Sequence, residues 1–133
     1  MKKLMMTMLL GLMLLLTTTS AMAEWTRVDD IDQLILYVDR ATIRRSGSFV
    51  KMWDLGDFKK MLTVQSYSYF SHKSQQEYDC KEEKKRLLAF TMFDGKMGSE
   101  NVVSSNGNAK GEWDPIEPKS IGETLWKIAC RKR

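Results

Sequence analysis

Three kinds of residue in this 133-residue chain could do chemistry by type and spacing: two cysteines, one histidine, and several pairs of carboxylates. Cys80 stands directly before six consecutive charged residues, Lys81 to Arg86, in "EYDCKEEKKRLLAF", and Cys130 lies near the end of the sequence, before "RKR". Two cysteines allow a single intramolecular pairing, and an exporting signal, described below, favours a disulfide over a reactive thiol or metal ligand. Closing the 50-residue loop from Cys80 to Cys130 would stabilise a fold by roughly 4 kcal/mol on the chain-entropy model.

His72, in "YFSHKSQQ", is the sole histidine, with no second histidine or spare cysteine to complete a familiar metal cage. Ser71 beside it makes no triad, because neighbours on a strand point to opposite faces. Asp29-Asp30, Asp54/Asp57 and Glu112/Asp114 could serve acid–base or glycosidic chemistry, but nothing in their spacing separates them from solvated acids. There is no glycine-rich phosphate loop and no nucleophile elbow. The expectation is a protein that is not an enzyme and needs neither cofactor nor metal.

The charge run holds four basic and two acidic residues, a net of only +2. Its plainer use is the solvated flank of an element; its sharper use is a surface for anionic partners such as sulfated glycans. If the cysteines are bonded, this run and the terminal "RKR" would meet. The combined patch would hold Lys81, Lys84, Lys85, Arg131, Lys132 and Arg133.

The first 23 residues, "MKKLMMTMLLGLMLLLTTTSAMA", have the parts of a secretory signal: Lys2 and Lys3, an apolar core from Leu4 to Leu16, and the cleavage site Ala21-Met22-Ala23. That core is about 13 residues long, short of the roughly 20 that a spanning helix needs. Cleavage after Ala23 leaves 110 residues, expected as one domain over 24–133, with no membrane span. The signal removes two of the 21 basic residues and none of the 17 acidic ones, so the mature net charge is +2. Nucleic acid is an unsuitable partner for so balanced a chain.

The elements that must position these residues are mostly strands. "LILYVD" (34–39), then "ATIRR" (41–45), the turn Ser46-Gly47-Ser48 and "FVKMWDL" (49–55) read as strand and hairpin, with a further turn near Gly56-Asp57. "VQSYSYF" (64–70) alternates at period two and predicts one strand with Tyr67 and Tyr69 on a shared face. Lys81 to Ala89 is rich in helix formers, with Glu82 and Arg86 at i, i+4, yet Phe90 to Phe93 favour a strand from about residue 85. "RLLAFTMF" (86–93) is apolar on both parities, as a central strand covered on both sides would be. "DGKMGS" is a turn, "NVVSS" (101–105) a short strand, and 106–119 irregular. A closing helix follows Pro118, with Ser120 and Glu123 at capping-box spacing and Gly122, Leu125, Trp126 and Ala129 on one face.

Trp25, "YVD" (37–39), "IRRSG" (43–47), "VKMW" (50–53), Ser71, "EYDC" (77–80), "EWDPIEPKS" (112–120) and Cys130 occur in an order that resembles the surface adhesin protein E family of Gram-negative bacteria. The resemblance implies an α+β fold: a single antiparallel sheet of about six strands, a C-terminal helix packed on it, and one disulfide joining the two. It also implies binding of host extracellular-matrix or serum proteins such as vitronectin, laminin and plasminogen, and a homodimer. The sequence departs from a lipid-anchored adhesin in having no cysteine at "TSAMA". That departure points to a periplasmic or secreted protein, and to a second reading as a structural or stress-related envelope protein without a host ligand.

Overall fold

The computed structural model describes residues 23–131; the expected signal segment up to Met22, and Lys132 and Arg133, lie outside them. Gly47 (φ +62°) opens the two-residue loop Gly47-Ser48. A positive φ at the first loop position is what a type II′ hairpin requires, and glycine adopts it without strain. That loop joins β2 (Leu34–Ser46) to β3 (Phe49–Val64), preceded by β1 (Thr26–Asp30). β4 (Tyr67–Asp79), β5 (Lys84–Phe93), β6 (Val102–Asn106), β7 (Asp114–Pro115) and α1 (Ile121–Ala129) follow. Every strand pairs antiparallel with its neighbour, in the order β1-β2-β3-β4-β5-β6, and β7 also pairs with β5. Between β6 and β7, the Ala109 and Gly111 amides donate to the Leu88 and Leu87 carbonyls at 2.7 Å. β6 and β7 are therefore two lengths of one interrupted edge, and the expected sheet of about six strands is present.

The two faces are covered differently. Val50, Met52, Asp54, Gly56 and Phe58 of β3 alternate toward the helix, in register with Tyr78, Gln76, Ser74 and His72 of β4. Leu34, Leu36, Val38, Val50, Met52, Phe58, Tyr78, Leu125 and Ala129 form the core. Each large side chain in it contributes about 1.5–3 kcal/mol by leaving water. On the opposite face the chain after β5 folds back over Leu55, Asp57 and Ser71. The Ser71 hydroxyl donates to the Gly95 carbonyl at 2.6 Å, and the Met97 amide donates to Asp57 at 2.8 Å.

The helix forms where its punctuation places it. The Ser120 hydroxyl accepts from the Glu123 amide at 3.1 Å, while the Glu123 carboxylate accepts from the Lys119 amide at 3.4 Å and from Lys127 at 3.3 Å. Gly122, Leu125 and Ala129 are buried, and the Trp126 indole donates to the Asp79 carbonyl at 3.0 Å. Cys80 and Cys130 are bonded, with Cα atoms 5.5 Å apart, so the helix end is tied to the turn between β4 and β5.

Four expectations are corrected. Residues 34–46 form one strand, not two. No turn occurs at Gly56-Asp57: β3 runs through both, and the glycine makes room for the His72 ring. Residues 64–70 are not one strand, because Gln65-Ser66 is a hairpin turn with Gln65 at φ +55°. β5 is not covered on both sides: it lies next to the sheet's edge and only Ala89 is buried, because a nine-residue helix does not reach across it. β1 is an additional strand, which the spacing of apolar residues does not announce.

Candidate functional site

The disulfide gathers part of the expected basic patch. Lys81 and Arg131 each follow a bonded cysteine and are exposed at the same end of the sheet. Asp79 shapes that turn by accepting from the Lys81 and Glu82 amides, both at 3.0 Å. Lys84 and Lys85 are successive strand residues and diverge to opposite faces. Lys85 lies half-buried along Gly122, where a Cβ would meet its Cε at 2.9 Å. Arg86 turns to the face away from the helix, bonds Glu77 at 2.6 Å and stacks over the Trp113 ring at 4.5 Å. Lys132 and Arg133 fall outside the described residues.

A cleft beside this end is built from residues the charge run did not point to. It has a volume of about 420 Å³ and is lined by Arg40, Ile43, Arg45, Ile128, Ala129 and Arg131. Between Asp39 and Arg44 the register of β2 on β3 shifts, which marks a bulge. Its backbone is held by side chains: the Ala41 amide donates to Asp39 Oδ1 at 3.1 Å, and the Thr42 hydroxyl donates to the Asp39 carbonyl at 2.6 Å while accepting from the Trp53 amide at 3.0 Å. The bulge presents Arg40 and Ile43 to the cleft. Arg45, beyond it, donates through Nη2 to the carbonyls of Ala129 and Arg131 at 3.3 and 3.1 Å, and so caps the end of α1. The adjacent arginines of "IRRSG" were visible in sequence; their meeting with Arg131 depends on helix docking and was not.

The residues weighed for catalysis are placed apart. His72 packs on Gly56 and 5.5 Å from the Phe58 ring, and burial lowers its pKa. Asp54 and Asp57 point to opposite faces. Burial raises the Asp54 pKa to about 7, opposed by the Gln76 amide, 3.0 Å away, and by the charge of Lys85. Asp30 is held below the usual carboxylate range, first by its bond to Lys59 at 2.7 Å. Glu112 and Asp114 are exposed. Among the described residues, no group of three or more histidine, cysteine or acidic side chains is arranged to hold a metal ion. Among the same residues, no helix is long and apolar enough to cross a membrane.

The fold is shared with Haemophilus influenzae protein E. Crystal form II of that protein superposes with a TM-score of 0.59 at 15% identity, covering 83% of this chain and 96% of that one. The structure from a non-typeable strain gives 0.59 at 14% identity, covering 84% and 78%. Among curated proteins, none matches the chain in sequence. The model of the family described as surface-adhesin protein E matches residues 25–131, a span that takes in the sheet, both bonded cysteines and the helix. The chain belongs to the surface-adhesin protein E family.

Proposed function

We propose that this chain is an exported, noncatalytic binding domain, residues 24–133 after removal of the signal, that holds host extracellular-matrix or serum proteins. Family membership over 25–131 carries the reading. The basic end of the sheet supports it with a surface that an acidic partner would fit: Lys81, Lys84 and Arg131 are exposed there, with Lys132 and Arg133 following in sequence. Lys85 contributes its charge from beneath the helix. Exposed Met61, Val64 and Tyr67, on the arm where β3 and β4 outrun the other strands, supply an apolar surface suited to a homodimer.

A second reading follows from one observation: both cysteines of the sequence are in the disulfide, so neither is left to carry a lipid. On that reading the protein works in the periplasm as an envelope component. Surface biotinylation of intact cells, followed by binding of the purified domain to immobilised vitronectin, laminin and plasminogen, decides between them. Labelling on intact cells with saturable binding is the expected result. Labelling only after the outer membrane is broken would leave the periplasmic reading.

A further inference from the structure

We infer that the cleft between the β2 bulge and the end of α1 is a docking site for an acidic peptide segment, one that carries a carboxylate beside an apolar side chain. This goes beyond the proposed function, since it names a chemistry for one site whether the partner belongs to a host or to the cell envelope.

Three arginines, Arg40, Arg45 and Arg131, line one cleft. Among the described residues none of them has a carboxylate within salt-bridge distance. Like charges are brought together here without internal neutralisation, and an anion would relieve their repulsion. Arg45 is already oriented: its Nη2 is held by two carbonyls at the helix end, and its other nitrogens keep donors of their own. A guanidinium fixed in this way loses little freedom on binding, and its Nε and Nη1 hydrogens are left to donate to a carboxylate oxygen. The negative end of the helix dipole opposes an anion, but it amounts to about half a charge and Arg45 already bonds its carbonyls.

The apolar part of the lining chooses among anions. Ile43, Ile128 and Ala129 form the rest of the cleft. A sulfated glycan has little to bury against isoleucine, whereas a peptide can set a leucine or phenylalanine there and a carboxylate on the arginines. The bulge shapes this lining: Asp39 and Thr42 hold its backbone, and it brings Arg40 and Ile43 to the cleft together.

The test uses the purified domain and a fluorescein-labelled hexapeptide of alternating glutamate and leucine, with the glutamine–leucine peptide as control. Anisotropy should show binding of the first and not the second, weakening as salt rises. The double substitution Arg40→Gln/Arg131→Gln should weaken it about tenfold or more without moving the melting midpoint, while Lys81→Gln/Lys84→Gln should leave it unchanged. In the unsubstituted domain, amide shifts on titration should centre on residues 40–45 and 128–131. Equal binding of the glutamine peptide, or equal weakening by both double substitutions, overturns the inference. So does a heparin hexasaccharide that displaces the peptide, or a dimer that Arg131→Gln dissociates, since the occupant is then a glycan or a second copy.

Discussion

The imidazole of His72 lies over Gly56, its register partner on β3, so closely that a Cβ at position 56 would stand 2.7 Å from Cε1 and 2.9 Å from Nε2. Both atoms belong to a rigid ring that also meets Phe58, so relieving the contact means moving the whole imidazole. Gly56→Ala should therefore destabilise by about 1–3 kcal/mol in urea denaturation. In Gly56→Ala/His72→Ala the clash has no ring to meet, and the loss should fall short of the sum of the single losses. Strict additivity would show that the two positions do not share space.

Asp54 gives the fold a pH dependence of defined sign. Its folded pKa is about 7 against 3.8 for the free side chain, chiefly because it is buried. Between these values the folded state binds more protons than the unfolded one, so this group's contribution to stability falls as pH rises from about 4 to 7, by up to roughly 4 kcal/mol. His72 acts the other way: its folded pKa is depressed, so its contribution is present above about pH 6.5 and is lost as pH falls. The difference between Asp54→Asn and the unsubstituted protein cancels His72. That difference should grow in favour of Asn from pH 4 to 7 and then level off, by chemical denaturation at fixed ionic strength. A difference independent of pH would place the Asp54 carboxyl in water.

Tyr78 is fully buried, and among the described residues its hydroxyl has no hydrogen-bond partner. Tyr78→Phe removes an unsatisfied group and keeps the ring. It should be neutral or stabilise by about 1 kcal/mol, read as a rise in melting midpoint. A loss of stability would reveal a bond to that hydroxyl.

The bond between Cys80 and Cys130 closes a separation of 50 residues. Cys80→Ala/Cys130→Ala should lower stability by about 2–5 kcal/mol. Hydrogen exchange should quicken first in α1, where Trp126 loses its fixed approach to Asp79, and least in β3.

Ser120→Ala leaves the Glu123 amide without its acceptor and should cost about 1 kcal/mol, while Ser120→Asp should keep most of the stability. Equal losses in both would mean that the cap contributes through packing alone.

What could be read from the residues was local or forced. The Ser120/Glu123 spacing states a helix start within four residues, and two cysteines have a single way to pair within a chain. The Gly47 turn is equally local. Gly56 misleads because a glycine that ends a strand and one that admits a ring look alike until His72, 16 positions away in sequence, is known to face it. Gln65 takes a positive φ that side-chain chemistry rarely signals. At the cleft, the bulge depends on Thr42 reaching the Trp53 amide of the next strand, and Arg45 finds its acceptors only once the helix has docked. Within the charge run, Lys85 lies under the helix while Arg86, on the other face, is paired with Glu77, a divergence that a run of like residues in sequence does not display.

The neighbour-to-neighbour strand order also sets a schedule for assembly. As the chain emerges N-terminus first, each strand from β2 to β6 finds its predecessor already present, and loop closures stay short. Cys80 appears with β4 and must wait for the last residues before its partner exists. Until then it is a lone thiol beside a nearly complete sheet, open to capture by an oxidising enzyme as a mixed disulfide. Arrival of α1 would resolve that intermediate, so the covalent closure records completion of the fold more than it guides it.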